Sequence, residues 1–386
     1  MANRITGIYH VSDAGGEQVR AFAPHPLPPA DPELAIDGQT QKLLSSAEAS
    51  LQVLSIAGKM VPNTDWYLYG FVRKEAVVSS QIEGTQATLE DVLNYEATEQ
   101  TDRFDDVQEV CNYVEALKYA REEIARPDGL PLCTRLLCQV HKRLMEGVRG
   151  QDKQPGEVRR SQNWVGGTRP GNAAYVPPPP DMVSDALANL DRWLHNDDPR
   201  PPLIKAGLAH AQFETIHPFL DGNGRIGRLL ITLLVEHWEL LDEPSLYLSL
   251  AFKRHRPVYY EKLTKVRTEG DWEGWINFFL ECVSEAANDG VASAQALSQC
   301  VAIDRITFAN HASATVSAIR LLDQLPNHPI VTLPRVMQLL DTSKPTALKA
   351  IKALVDVGVL RETTGKQRDR VYAYHRYLEV LTKDTN

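Results

Sequence analysis

The chain has 386 residues, of which 43% are hydrophobic, 24% charged and 7% aromatic, an ordinary globular composition that excludes global disorder. That length exceeds what one hydrophobic core serves, so two or three domains are expected. With 41 basic and 50 acidic side chains the net charge is −9, which excludes a protein that coats nucleic acid along its whole length but allows one local basic face.

The opening Met1-Ala2-Asn3-Arg4-Ile5 lacks the apolar core of a signal peptide, and the longest apolar run, Leu229 to Val235, is interrupted by Thr232 and too short to cross a bilayer. A soluble, cytoplasmic protein with no membrane partner is the expectation. Cys111, Cys133, Cys138, Cys282 and Cys300 are odd in number and none pair as CxxC, so they read as reduced thiols, without a disulfide framework or zinc site.

Ala23 to Asp37 is rich in proline and polar residues and reads as an extended lead-in. From Leu34 to Met60 apolar residues recur at helical spacing, and a second helical stretch follows from Trp66. Further amphipathic runs cover 105–125, 133–145, 182–195, 203–216, 225–240 and 272–294, so the body is mainly α. Between Arg160 and Pro180 two short β-prone pieces flank a centre rich in glycine and proline, which suggests a β-hairpin or flap. No internal repeat appears, which excludes a solenoid.

From Ala312 onward 11 Lys and Arg face 7 Asp and Glu, so this part carries +4 and the remainder −13. A boundary is expected near residues 300 to 312. Thr332 to Leu340 and Pro345 to Val357 read as two helices joined by a short turn, followed by a hairpin over 359–366 and 368–374. That order is the outline of a winged helix-turn-helix.

The densest chemical signal is His217-Pro218-Phe219-Leu220-Asp221-Gly222-Asn223-Gly224-Arg225-Ile226-Gly227-Arg228. A glycine-rich loop opens into an apolar helix, so its amides sit at a helix N-terminus and can cradle phosphate. Arg225 and Arg228, three apart, offer rigid forks for phosphate oxygens. Asp221 adds a hard oxygen suited to magnesium, and His217 can take a proton near neutrality. Together they describe a nucleotide phosphate site with a base beside it.

These twelve residues match the Fic motif, HxFx(D/E)GNGRxxR, at every fixed position, so the chain resembles Fic proteins over roughly residues 20 to 380. The resemblance implies a helical Fic-type core with a β-hairpin flap over the site, and transfer of a nucleotide monophosphate, usually AMP from ATP, to a protein hydroxyl. His217 would deprotonate a Ser, Thr or Tyr hydroxyl, Asp221 would hold Mg2+, and Gly222, Asn223 and Gly224 would bind phosphate. Arg225 and Arg228 would take the β and γ phosphates, with Gly227 between them. The stretch from Gly156-Glu157-Val158-Arg159 to Tyr175-Val176-Pro177-Pro178 resembles the flap region, where Val165, Gly166, Gly167 and Thr168 would touch the nucleotide. Tyr259 and Tyr260 resemble a pair beside the adenine pocket, with helix packing as the competing reading. Gly224 stands where a phosphate-transferring branch of the family carries lysine, which disfavours kinase-like chemistry.

Ser79-Ser80-Gln81-Ile82-Glu83-Gly84 matches the family's inhibitory pattern, (S/T)xxxE(G/N). Leu68, Phe71, Val72, Val78 and Ile82 form an apolar stripe, Gly84 is a helix stop, and Thr88-Leu89-Glu90-Asp91 resembles the next helix's cap. The resemblance implies that Glu83 pairs with Arg228 and so blocks a productive ATP pose, with the motif N-terminal to the core as in class II.

The domains are then expected at 1–100, a helical region carrying the inhibitory helix at about 66–84; 101–300, the catalytic core; and 312–386, the winged helix. Self-modification and a homodimer are expected by analogy. Removal of AMP by the same site is an alternative. A rival of another class is a DNA-binding regulator, in which Pro345 to Val357 enters the major groove, Lys344, Lys349 and Lys352 meet phosphates, and Arg361 to Arg370 forms the wing.

Overall fold

A computed structural model describes residues 4–14, 16–61 and 64–385. Met1, Ala2 and Asn3 of the opening stretch lie outside the described residues. In chain order the elements are β1 (Gly7–Ala14), β2 (Glu17–Pro24), α1 (Gly38–Met60), α2 (Thr64–Ile82), α3 (Leu89–Thr98), α4 (Phe104–Ala125), α5 (Thr134–Leu144), α6 (Pro180–His195), α7 (Pro202–Ile216) and α8 (Asn223–His237). They continue with α9 (Leu248–Arg254), α10 (Arg256–Glu269), α11 (Trp272–Ala309), α12 (Val316–Gln324), β3 (Ile330–Thr332), α13 (Leu333–Leu340), α14 (Lys344–Asp356), β4 (Leu360–Glu362), β5 (Val371–Tyr374) and α15 (His375–Leu381). The protein is mainly α, as expected, and no helix among the described residues is long and apolar enough to cross a membrane.

Local chemistry accounts for several boundaries. Pro180 and Pro202 open α6 and α7, where the missing N–H costs nothing. The Thr88 hydroxyl accepts from Asp91 N–H at 3.1 Å and the Asp91 carboxylate accepts from Thr88 N–H at 2.9 Å, a complete capping box for α3. Helix α11 runs to Ala309, beyond the expected end at 294, without a proline to stop it. The hairpin β1–β2, paired from Gly7↔Pro24 to Ala14↔Glu17, was not expected from the sequence.

The chain divides into two compact units assembled from non-contiguous stretches. The first contains the chain up to Gln52, Cys111–Pro244 and Ala251–Ala286. Its centre is the packing of α7 on α8, with Gly227 admitting the Glu214 side chain so closely that a Cβ would stand 2.3 Å from Oε1. The expected flap hairpin is reduced to one antiparallel bridge, Val165↔Tyr175, around a 3-10 turn at Pro170–Asn172, since the prolines at 170 and 177–180 donate nothing to a ladder. Phe22 N–H donates to the Val176 carbonyl at 2.9 Å, and Val19 and Ala21 pack on Val176, so β2 supports the base of the flap.

The second unit contains Val53–Val110, Ser245–Leu250 and Ala287 to the C-terminus. Here β3, β5 and β4 form an antiparallel sheet in that order beside α12, α13 and α14. Helix α2 is embraced by the chain's last residues: Trp66 meets Tyr377 edge-on at 6.0 Å, and a Cβ on Gly70 would stand 2.7 Å from Leu381 Cδ1. Lys74 Nζ donates to the Lys383 carbonyl at 3.0 Å while lying 4.7 Å from the centre of the Tyr247 ring. The buried Glu75 carboxylate accepts from Ser249 N–H at 3.0 Å and from its hydroxyl.

Candidate active site

The site is built on the loop joining α7 to α8. Helix α7 is buried on nearly all sides, and its last amide-linked turn places His217 N–H on the Phe213 carbonyl at 2.9 Å. His217 then adopts a left-handed conformation, φ 50° and ψ 60°, which turns the chain out of the helix. For a non-glycine residue that geometry is costly and persists only where the surroundings enforce it.

The enforcement comes from side chains that capture the loop's carbonyls one after another. Arg159 Nε donates to the His217 carbonyl at 2.9 Å, and Arg159 N–H to the Pro218 carbonyl at 2.9 Å. Phe219 is held from two directions. Its N–H donates to Asn223 Oδ1 at 2.8 Å, and its carbonyl accepts from Asn223 Nδ2 and Asn163 Nδ2, both at 2.8 Å.

His141 completes the set. Gly156 N–H donates to its Nδ1 at 2.9 Å, which leaves the proton on Nε2, and Nε2 donates to the Asp221 carbonyl at 3.1 Å. The ring stacks on Phe219 with centroids 3.9 Å apart. Burial drives its pKa down to about 4, with the Asp221 carbonyl opposing and the Arg225 charge assisting, so the imidazole is neutral and acts as a fixed strut.

Gly222, at φ 75°, caps α8, and Asn223 and Gly224 occupy its first positions, whose amides have no acceptor within the helix. Gly222 N–H donates to Asp221 Oδ1 at 2.6 Å, so a carboxylate oxygen already sits against this positive end. The Asp221 side chain is 43% exposed, and Arg225 Nη2 lies 3.8 Å from Oδ1 and 3.5 Å from Met145 Sδ. Arg225 and Arg228 are both buried. Among the described residues no cluster of three or more His, Cys, Asp or Glu could hold a metal.

The flap residues form a tight turn beside this loop's supports. Gly166 and Gly167 have φ 69° and 73°, and a Cβ on Gly167 would stand 2.5 Å from the Asn172 carbonyl. Thr168 N–H donates to Asn172 Oδ1 at 3.0 Å. Tyr175 OH donates to the Thr215 carbonyl at 2.5 Å, and the Arg267 guanidinium lies 4.0 Å from the centre of its ring.

The structure thus assembles His217, Asp221, Gly222, Asn223, Gly224, Arg225 and Arg228 on one loop and helix end, with Val165 to Thr168 in the same unit. Gly227 serves the α7–α8 contact. The two tyrosines diverge: Tyr259 is buried with its OH 2.8 Å from His210 Nε2, whereas Tyr260 keeps 39% exposure. His210 Nδ1 lies 2.8 Å from the Gly227 carbonyl, and complete burial drives the ring's pKa down to about 3. Ser79, Glu83 and Gly84 belong to the second unit. Ser79 is buried, Glu83 N–H donates to Ser80 O at 3.0 Å in the turn closing α2, and Gly84 has φ 104°.

Sequence reading did not single out His141, Asn163 or His210, and it met Arg159 and Tyr175 only as members of the flap stretch. Each acts through a contact far along the chain, for which local pattern holds no signal.

Residues 41–122 match the Fic/DOC family N-terminal region and residues 131–235 match the Fic/DOC family itself. The chain is thus similar to Fic/DOC proteins over these two stretches. Curated relatives include proteins named protein adenylyltransferase Fic from Aedes aegypti, 30% identical over 180 residues, and Culex quinquefasciatus, 29% identical over 180; each match spans 46% of this chain and 33% of the relative. The chain spans about a third of the length of these relatives. Among solved structures, a Fic family protein from Desulfovibrio desulfuricans G20 superposes with a TM-score of 0.57 at 20% identity, covering 88% of this chain and 97% of that one. Fic-1 (residues 134–508) from C. elegans gives a TM-score of 0.51 at 19% identity, covering 66% of this chain and 72% of that one. At these identities the two structures show the shared fold.

Proposed function

We propose that the chain is a protein adenylyltransferase, moving AMP from ATP to a hydroxyl of a target protein and of itself. The observation that carries the reading is the left-handed His217, immobilised through its own carbonyl directly before a helix N-terminus lined by Gly222, Asn223 and Gly224. His217 accepts the proton of the attacking Ser, Thr or Tyr hydroxyl. The new bond joins that oxygen to the α-phosphorus as the bond to the β-phosphate oxygen breaks, and pyrophosphate leaves with the electron pair. The open amides at the start of α8 and the guanidinium groups of Arg225 and Arg228 bind the phosphates, and the flap residues Val165 to Thr168 border the nucleotide.

A single half-exposed carboxylate suits a magnesium ion that takes its remaining ligands from phosphate and water. Asp221 would hold it, and the ion would neutralise phosphate charge. Glu83 restrains the reaction. Removal of AMP by the same site is the reverse outcome of the same assignment.

Intact-mass measurement after incubation with magnesium and ATP tests the reading. Addition of AMP is expected, more in Glu83→Gly than in the parent, and none in His217→Ala, which keeps nucleotide binding. Addition of phosphate, no change in every form, or transfer by His217→Ala would overturn it. Equal, His217-dependent labelling with and without Glu83 would remove the restraint alone.

A second reading is favoured by one observation. Lys344, Lys349 and Lys352 are exposed on α14, and Lys366, Arg368 and Arg370 are exposed in the turn between β4 and β5. In the winged-helix outline this basic face meets duplex DNA, alongside catalysis. Salt-dependent retardation of random duplex is the expected result, and absence of binding at low salt would remove it.

A further inference from the structure

Arg159 is 1% exposed, yet the partners of its guanidinium are carbonyls rather than a carboxylate. On one side Nε donates to His217 O at 2.9 Å and Nη2 approaches Ile216 O at 3.5 Å, so the cation closes the negative end of α7. On the other side Nη2 donates to Pro178 O at 2.6 Å and Nη1 to Ser161 O at 3.3 Å, the two segments at the foot of the flap. Its own N–H holds Pro218 O at 2.9 Å. Burial lowers its pKa to about 10, against the usual value of 12.5, and still leaves it charged at neutral pH.

A buried cation is expensive to keep, and a helix end needs only a glycine or water to satisfy its carbonyls. What a five-donor planar fork supplies in addition is a fixed spacing between segments it grips simultaneously. Here those segments are the residue proposed as base and the flap that borders the nucleotide. Lysine, with a point charge on a flexible stem, can reach some of these carbonyls but cannot hold both sides in one plane.

We propose that Arg159 is a positioning residue, whose guanidinium locks the left-handed His217 to the foot of the flap and thereby sets the base against the bound nucleotide. The inference rests on the adenylyl-transfer reading for its catalytic consequence, but its structural core does not. Removing the fork leaves the α8 amides, Arg225 and Arg228 untouched, so ATP binding persists while the turnover step suffers. A misplacement of the base by about 1 Å costs on the order of 10²-fold in rate.

The test uses the full chain with Arg159→Met and Arg159→Lys, each in the parent and in the Glu83→Gly background. Hydrogen exchange followed by mass spectrometry reads peptides covering 158–168 and 213–222. In Arg159→Met faster exchange is expected in both, with the rest of the first unit unchanged. Adenylyl transfer is expected to fall about 10²-fold in kcat with KM for ATP changed less than threefold. Arg159→Lys should recover part of the rate, and millimolar guanidinium should recover part in Arg159→Met. Unchanged exchange in both peptides would overturn the proposal whatever the activity. So would unchanged kcat, or a loss confined to KM. If the Glu83→Gly parent transfers nothing, the function reading fails, and the exchange data alone decide whether Arg159 joins loop and flap. Should Arg159→Met unfold, Arg159→Lys carries the same comparison.

Discussion

Gln81 donates from Nε2 to the Thr385 carbonyl at 3.0 Å, tying the helix that bears Ser79 and leads into Glu83 to a residue more than three hundred positions away. The same amide also reaches Ala87 O at 2.9 Å, and Thr385 is itself buried. Lys383 and Thr385 are therefore part of the packing of α2.

Ending the chain at Thr382 would delete the carbonyls that receive Gln81 and the buried Lys74. A loss of about 1 to 3 kcal/mol in the stability of the second unit is expected, because each donor gives up an acceptor that it holds in the folded chain. Urea unfolding with and without residues 383–386 measures it, and faster proteolysis within 64–82 should accompany the shift.

Asn223→Ala removes the side chain that both accepts from Phe219 N–H and donates to its carbonyl. We expect destabilisation of roughly 1 to 3 kcal/mol, with nucleotide affinity reduced because the start of α8 is no longer held against the loop. Calorimetric titration with ATP alongside thermal unfolding separates the two effects.

Gly222→Ala would force φ 75° on a residue with a Cβ and bring that atom to 3.0 Å from Met145 Sδ. The backbone term alone is about 1 to 2 kcal/mol. Thermal unfolding should show the loss, and replacing Met145 with a smaller residue should relieve only the steric part.

His141 and His210 give the stability a definite pH dependence. Their folded pKa values, about 4 and about 3, lie below the ordinary 6.5, so between these values the unfolded chain binds more protons than the folded one. Both contributions are present in full above pH 6.5 and are lost as the pH falls toward 4 and 3, at roughly 1.4 kcal/mol per unit for each ring. Urea midpoints measured at pH 7, 6 and 5 should decline, and the decline should be shallower in His210→Gln.

Much of the helical framework was legible because periodicity and caps are local. Pro180, Pro202 and the Thr88–Asp91 box mark helix starts that the structure shows at those places. The motif from His217 to Arg228 likewise folds as one loop and helix end, since its glycine turn and helix start are short-range features. Gly15-Gly16, between two β-prone runs, is the local signal for β1–β2, and the proline-rich segment that follows masks it. The burial of Tyr259 against His210 and the grip of Arg159 were not legible, because each depends on residues 49 and 58 positions apart meeting in space. Identical neighbours in sequence, Tyr259 and Tyr260, face different surroundings for the same reason.

The bond from Phe22 to Val176 bears on how the chain can be trimmed. A fragment cut to the family-matched stretches, 41–235, would discard the strand that shores up the flap's root, together with Tyr259 and Trp275, which lie against His210. Such a minimal piece would keep every letter of the signature while losing the scaffolding behind it.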